Sequence, residues 1–580
     1  MFSNLFHLKK YFVRYKPSFV LGIIFILISN IGQVYIPQLM KQGIDAIAAN
    51  TSVLKFVILI SVTSLIAGVF RFLIRQTIIV TSWKIANDFR YDFWQHLQKL
   101  PLRFFQNNST GNIMSHATND INAVRSFVGP SVMYTIDNGI KFLMVLVIMI
   151  SMNPLLTFYA IIPSPFMSLM VYLLMNRVHV KYTKIQEKFS DLTSRAQENF
   201  SGIRVVKSYV REEYEIQNYK NESNEYLKRK MDLVKLQALF IPVFLVIAGL
   251  SFIIVLWAGG VQMINGNFSI GELVAFYAYL GMLIWPMISF GWVSTMIQQA
   301  DASMKRLLKI FNEPYEITDN GKEETKTHKI NGRVEFNNVS FRYAENLPLV
   351  LNQVNLKIES GQTVAFIGQT GTGKTSLINL IPRLYDVTDG EVLIDGVNIK
   401  DIPLETLRKN IGIVPQENFL FSDTLSNNLI YGLNEPNENL VEKVSDIAQL
   451  SKDVEGFPLG YETILGERGI TLSGGQKQRS TLARALAIDP KILILDDSFS
   501  AVDTHTEEEI LKRLKDFMKN RTSIIISHRI STVKDSDNIF VLHEGKIAEE
   551  GTHEELVELG GIYAELHTKQ LLEEELSVIN

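Results

Sequence analysis

The chain has 580 residues, enough for several domains, and a formal net charge of −3 that gives no reason to expect a nucleic-acid partner. It holds no cysteine, which excludes disulfides, thiol catalysis and thiolate-bound metal. Its 47% hydrophobic and 20% charged residues average two unlike parts: long apolar runs broken by basic stretches, then an ordinary soluble α/β composition.

Residues 2–15 set Phe2, Leu5, Phe6, Leu8 and Phe12 against Lys9, Lys10 and Arg14, a short basic amphipathic segment suited to a membrane surface. The first apolar run begins after it and lacks a small-residue cleavage site, so no cleavable signal peptide is expected. Six apolar stretches follow, at 18–41, 54–82, 128–151, 155–176, 238–263 and 270–298. Each meets the roughly 20 residues that a bilayer core requires. A buried soluble helix can mimic one such stretch, not the whole set.

The connections between spans are very unequal. Short turns near Asn153-Pro154 and at Gly259–Ser269 carry no Lys or Arg, whereas long polar helical stretches join spans two to three and four to five. The second long stretch is heavily basic, with Lys181, Lys184, Lys188, Arg195, Arg204 and Lys207 before its middle and Lys228, Arg229 and Lys230 near its end. Basic residues collect on the cytoplasmic side. The expectation is a multi-pass protein of the cell membrane, with the lipid bilayer as solvent and with both termini, both long loops and the C-terminal half in the cytoplasm.

Arg71 and Arg75 lie one helical turn apart inside a span, as do Asp137 and Lys141. Charges there are expensive. They either line a polar pathway, or pair internally (Asp137 with Lys141) while the arginines snorkel. Tyr277, Tyr279, Trp285 and Trp292 on span six can likewise line a cavity, anchor at the interface or pack against lipid. Residues 110–122 and 198–209, midway along the two long loops, combine a glycine with small and polar residues and are expected to be loop tips.

Glu313–Lys329 is polar and carries Pro314 and Gly321, which marks a linker. From Gly332 onward strands and helices alternate, as in a mostly parallel sheet covered by helices. The apolar run Val364–Ile367 then leads into Gly368-Gln369-Thr370-Gly371-Thr372-Gly373-Lys374-Thr375 and the helix start at Ser376. This is the phosphate-binding loop pattern. Its glycines let successive backbone N–H groups point inward around anionic oxygens, Lys374 can reach the outer phosphates, and the Thr375 hydroxyl can ligate magnesium. The chain is expected to bind a nucleoside triphosphate.

Leu472-Ser473-Gly474-Gly475-Gln476 precedes a helix rich in Arg479, Leu482, Ala483 and Arg484, and its serine and glycine N–H groups can donate to phosphate oxygens. Lys491–Asp497 is an apolar strand ending in two carboxylates. Beside a phosphate loop, Asp496 is the residue expected to hold magnesium and Asp497 the one expected to polarise the attacking water. A second apolar strand, Ile524–Ser527, ends at His528, which can donate to a γ-phosphate.

The order and spacing of these motifs resemble the ATP-binding cassette (ABC) exporters that fuse six spans to one nucleotide-binding domain, over essentially the whole chain. The resemblance implies a multidomain fold: an all-α six-helix transmembrane domain with an amphipathic elbow over 1–312, a linker over 313–331, and an α/β P-loop ATPase domain over 332–580. It implies ATP and Mg as cofactors, and further roles. Tyr343 matches the aromatic that stacks on adenine, and Gln416 the glutamine that contacts magnesium. Glu467 matches a loop touching the coupling helices, Ser500–Asp503 a loop crossing a dimer interface, and 110–122 and 198–209 the coupling segments. Six spans make half a pathway, so the implied partner is a second half-transporter, identical or not. Its Ser473–Gln476 would close over this chain's ATP. The implied cargo is a small amphipathic drug or lipid moved by alternating access. The spans exclude a soluble mechanical ATPase, and the fusion of both parts disfavours an importer. No peptidase-like segment precedes the first span, which weakens a leader-peptide exporter. One residue departs from the pattern: most such exporters carry glutamate where Asp497 stands, and the shorter carboxylate implies slow hydrolysis, as in the weak site of an unequal pair.

Overall fold

The structure, a computed structural model, describes residues 3–319, 329–433, 435, 437–466, 469 and 472–579. Glu467 lies outside the described residues. The chain divides into two compact units, Met1–Gln95 with Gly111–Asn312, and His96–Thr110 with Glu313–Asn580.

The first unit is helical. Five described helices are long and apolar enough to cross a membrane: α1 (Lys16–Ala48), α2 (Leu54–Leu97), α3 (Thr110–Met152), α5 (Glu212–Ile264) and α6 (Ile270–Phe311). The remaining apolar stretch, 155–176, is also helical, divided between Pro154–Ile161 and α4 (Pro163–Ser201). Local chemistry sets the sharp turns. Extended Asn153 accepts the Leu156 amide at 2.9 Å with Pro154 at the first helical position. Ser269 and Glu272 form a reciprocal capping box at the start of α6.

Polar side chains tie these helices together within their apolar segments. The buried Asn138 amide donates to Ser289 Oγ at 2.7 Å, Ser29 Oγ to the Ala67 carbonyl at 3.1 Å, and the Tyr279 hydroxyl to the Val34 carbonyl at 3.0 Å. Lys141 Nζ lies 3.8 Å from Asp137, so this pair takes the internal-pairing alternative, whereas Arg71 and Arg75 are exposed on this chain. The four aromatics of α6 divide: Tyr279 is buried and Tyr277 donates to the Phe252 carbonyl, while Trp285 and Trp292 are exposed. Beyond the apolar stretches, Asp120 on α3 accepts two guanidinium bonds from Arg306 of α6, one from Ser303 Oγ at 2.8 Å, and lies 2.6 Å from His116 Nδ1.

The first long loop turns earlier than expected. Helix α2 ends at Leu97, Pro101 opens a short helix at Leu102–Asn107, and α3 is already helical from Thr110. Residues 110–122 are therefore returning helix rather than a tip. Proline is the breaker here, while Gly111 and its polar neighbours are tolerated on an exposed helical face. The second tip falls inside the expected segment, with Gly202 ending α4 and a short helix at Ile203–Ser208.

In the second unit, β1 (Val334–Phe341), β2 (Leu351–Ile358), β4 (Asp389–Ile394) and β5 (Val397–Asn398) form an antiparallel sheet of order β2-β1-β4-β5. The larger sheet has order β10-β9-β3-β8-β7-β6, from β3 (Thr363–Ile367), β6 (Ile411–Val414), β7 (Ile492–Asp496), β8 (Thr522–Ile526), β9 (Asn538–His543) and β10 (Lys546–Gly551). It is parallel except for the edge strand β10. Every residue of β7 and β8 is buried, as a sheet covered on both faces requires. Period-two alternation splits the core. Val364, Phe366, Ile494 and Ile524 face the small sheet and α7 (Lys374–Leu380), and Ala365, Ile367, Leu493 and Leu495 face α8 (Gly474–Ala487) and α9 (Thr504–Met518).

Candidate nucleotide site

Strand register brings the motifs together. β8 lies between β3 and β7, and Ile526 pairs with both Phe366 and Asp496. The phosphate loop, the two aspartates and His528 therefore leave the sheet side by side at its carboxyl edge, where open α/β sheets bind ligands.

The loop turns on Gly368, whose φ is +154°; a β-carbon there would meet the Leu542 carbonyl oxygen at 2.3 Å. Gln369, Thr370 and Gly371 form the exposed lip of the loop, Thr372 Oγ1 donates to the Gln369 carbonyl at 2.9 Å, and Gly373 caps α7. Lys374 is buried, and its ammonium donates to the carbonyls of Gly368 at 2.7 Å and Gln369 at 2.9 Å. Burial pushes the Lys374 ammonium below the usual lysine range, against the pull of Asp497 and Asp496. Ser376, also buried, shares a 2.7 Å hydrogen bond with the Tyr343 hydroxyl. The Tyr343 ring meets Phe341 and Tyr385 edge-on, with centroids 4.9 and 5.3 Å away.

Asp496 is buried at the end of β7 and bonds the Thr375 hydroxyl. Burial drives its carboxyl above the usual range; the Thr375 bond opposes this, Asp497 adds to it, and the charges of Lys374 and His528 offset it. Asp497 takes a left-handed backbone, φ +47°, which aspartate tolerates better than most residues, and its amide still donates to the Ile526 carbonyl at 3.0 Å. Its Oδ2 lies 3.2 Å from His528 Nε2. Gln416 is exposed in the bend after β6, on the strand next to β7.

Ser473, Gly474, Gly475 and Gln476 stand apart from this cluster in their contacts. Ser473 caps α8 through a reciprocal box with Gln476, whose side-chain amide donates to Asp453 at 2.9 Å. Gly475 packs so closely on Ala501 that a β-carbon would sit 3.0 Å from its carbonyl oxygen. Ser473 and Gly474 are exposed. Asp503 closes the 500–503 loop by capping α9, accepting the Thr506 amide at 2.9 Å.

Four residues of this region carry no signal in the motifs. Buried Gln478 bonds Ser500 and Ala501, and Tyr385 holds the Tyr343 ring and accepts a hydrogen bond from Gln106 on the 96–110 segment. Gln570, on the helix α10 (Ile562–Ile579), donates to the His528 carbonyl and accepts the Ile530 amide at 2.9 Å. Each is a glutamine or tyrosine made specific only by tertiary contact.

Comparison with known proteins agrees with both units. Residues 19–287 match the family model "ABC transporter transmembrane region" and residues 351–500 the model "ABC transporter". A Bacillus subtilis protein named a probable multidrug resistance ABC transporter ATP-binding/permease protein, YheI, is 33% identical over 99% of this chain and 98% of its own. The multidrug resistance-like ATP-binding protein MdlA of Buchnera aphidicola is 32% identical over 98% of each. Among solved structures, a bacterial Atm1-family ABC exporter with ATP bound superposes with a TM-score of 0.78 at 26% identity, covering 96% of this chain and 98% of the other.

Proposed function

Because the chain belongs to the ABC transporters, as an exporter-type half-transporter whose ATPase is coupled to transport, we propose that two such subunits clamp two ATP molecules between them and move an amphipathic drug or lipid out of the cytoplasm or inner leaflet by alternating access. The observation that carries this reading is the register of β3, β8 and β7, which gathers Lys374, Asp496, Asp497 and His528 at one edge of one sheet. The names of YheI and MdlA favour a drug-like cargo. The nucleotide-binding domain and both termini are assigned to the cytoplasm, where ATP is.

In this reading the loop 368–376 cradles the triphosphate. Lys374 exchanges its two carbonyl contacts for phosphate oxygens, and Tyr343 offers its ring to adenine. The Thr375 hydroxyl, the Asp496 carboxylate and the Gln416 side chain supply oxygen donors only, the ligand class magnesium takes. When bound, magnesium offsets charge developing on the phosphate oxygens. Asp497 orients the attacking water and takes its proton, and His528, held beside Asp497, donates to the γ-phosphate. Ser473 and Gly474 face outward to meet the ATP of the opposite subunit. The single-subunit site is thus incomplete without a second chain.

Replacing Lys374 or His528 by alanine tests the site: the variants are expected to insert in the membrane and to lose transport-coupled hydrolysis. Full substrate-stimulated hydrolysis in either would reject it. A second reading, favoured by Asp497, makes this chain the weakly hydrolysing half of a heterodimer. Co-purification with a different half-transporter, and slow turnover by the homodimer, separate it from the first.

A further inference from the structure

Helix α4 and the cytoplasmic part of α5 run side by side, and their charges change character along the pair. Away from the apolar stretches two cations of α4, Lys188 and Arg195, are each matched by carboxylates. Lys188 meets Glu222 at 3.1 Å, Glu225 at 3.3 Å and Asp191 at 3.7 Å, and Arg195 meets Glu215 at 3.1 Å. Immediately beyond 155–176 the matching stops. Arg177, Lys181 and Lys184 follow one another at spacings of four and three on one face of α4, and among the described residues none has a carboxylate within ion-pair distance. They open into a cleft of about 1030 Å³ together with Arg229 of α5, which is already ion-paired with Glu225 on its own helix and bridges the helices by donating to the Lys184 carbonyl at 3.3 Å. Glu187 and Asp232 give the lining two negative charges against four positive ones, and Val180 and Leu236 add apolar wall.

Like charges at such spacings repel on a helix. The excess of cytoplasmic lysine and arginine near spans accounts for the sign of these residues. It does not account for three of them facing one cavity while Lys188 and Arg195, farther along the same helix, are each paired. The position adds the remaining clue. Arg177 directly follows the fourth apolar stretch, and Leu236 lies two residues before the fifth, so the sequence puts the cleft at the ends of two spans, the level at which lipid phosphates lie.

We propose that this cleft is a binding site for a phosphate-bearing anion, occupied by the headgroup of an anionic phospholipid of the cytoplasmic leaflet. Arg177, Lys181 and Lys184 contact the phosphate, and Arg229 holds the two helices at the spacing that admits it. The site is separate from the nucleotide site and uses none of its residues.

Native mass spectrometry of the full-length chain in detergent, titrated with phosphatidylglycerol and with phosphatidylcholine, tests this. The wild type is expected to take phosphatidylglycerol in preference, and R177Q/K181Q to weaken that binding about tenfold while leaving phosphatidylcholine binding unchanged. The charge-matched control K228Q/K235Q, on the same α5 segment outside the cleft, is expected to bind as the wild type does. Equal loss in both variants makes the effect one of net charge and overturns the site, as does wild-type affinity in R177Q/K181Q. Displacement of the lipid by inorganic phosphate at comparable concentration overturns the headgroup assignment in favour of free phosphate. Retained ATP binding shows that R177Q/K181Q is folded; should it not be, K184Q is read in its place with the same outcomes.

Discussion

The side chain of Gln478 accepts the Ala501 amide at 2.9 Å and donates to Ser500 Oγ at 2.9 Å, with a longer contact to the Asp497 carbonyl. One buried amide thereby fixes the loop after β7 to the second turn of α8, four residues beyond Gly474. The surface proposed to meet a partner's ATP and the aspartate of this chain's own site are held in one rigid piece.

Replacing Gln478 by alanine should cost about 1–3 kcal/mol, since it leaves a buried amide and a hydroxyl without partners. It leaves the phosphate loop untouched. ATP binding by full-length Q478A is therefore expected to match the wild type while hydrolysis falls about tenfold or more, measured by fluorescent-nucleotide titration and phosphate release. Parallel loss of both would mean that Gln478 only supports the fold.

Gly368 and Gly371 both have positive φ, but their surroundings differ. A β-carbon at Gly368 would lie 2.3 Å from the Leu542 carbonyl oxygen, whereas at Gly371 nothing lies within 4 Å. Gly368→Ala combines overpacking against backbone with an unfavourable dihedral and should destabilise by about 2–4 kcal/mol. Gly371→Ala carries the dihedral cost alone, about 1 kcal/mol. Thermal unfolding of the two variants should rank them in that order, and equal losses would count against the packing argument.

Much of the candidate nucleotide site is legible in the sequence because the chemistry proposed for it is local. Glycines at fixed offsets make the nest, and an apolar strand ending in Asp496-Asp497 announces itself. What holds the site together is not. Gln478, Tyr385 and Gln570 act across long sequence separations, and nothing in a glutamine's neighbours says which backbone it will hold. The first loop tip was misplaced for a related reason. Gly111, Asn112 and Ser115 have loop chemistry, but Ile121 and Val124 bury an apolar face that makes 110–122 helical, and Pro101 does the turning. Spacing alone offers Asp137 and Lys141 as a pair only beside the alternative of a pathway lining, and offers nothing for Asp120 and Arg306, 186 residues apart.

Asp120 also sets a pH dependence. Burial favours its neutral form, but hydrogen bonds from Arg306, His116 and Ser303 win and hold the carboxyl below its usual range. A carboxyl depressed in the folded state stabilises the fold above its unfolded value, about pH 4, and loses that contribution as pH falls through the folded one. Thermal unfolding in detergent should show the wild type losing stability below about pH 4 more steeply than Asp120→Asn. Arg306→Ala should cost about 1–2 kcal/mol near neutral pH, the half-exposed guanidinium being partly replaced by water. A wild type and an Asp120→Asn variant with parallel pH profiles would remove the cluster from the account.

In the proposed mechanism the reach of Asp497 sets how fast this site turns over. Its carboxylate sits 3.2 Å from His528 Nε2, so the short side chain is engaged with the histidine on its own edge of the sheet. Glutamate would extend the carboxylate by one methylene, about 1.5 Å, toward where the water attacks while leaving Lys374, Thr375 and Asp496 as they are. Asp497→Glu in the purified homodimer is therefore expected to raise kcat about tenfold or more, with little change in the KM for ATP, because the gain arises in the transition state and not in nucleotide binding. His528→Ala on the same background should abolish the gain, since the proposed donor to the γ-phosphate is then missing. Unchanged turnover in Asp497→Glu, at a rate typical of glutamate-bearing relatives, would mean that the left-handed backbone at Asp497 already delivers the carboxylate to the water, and the weakly hydrolysing reading would fall.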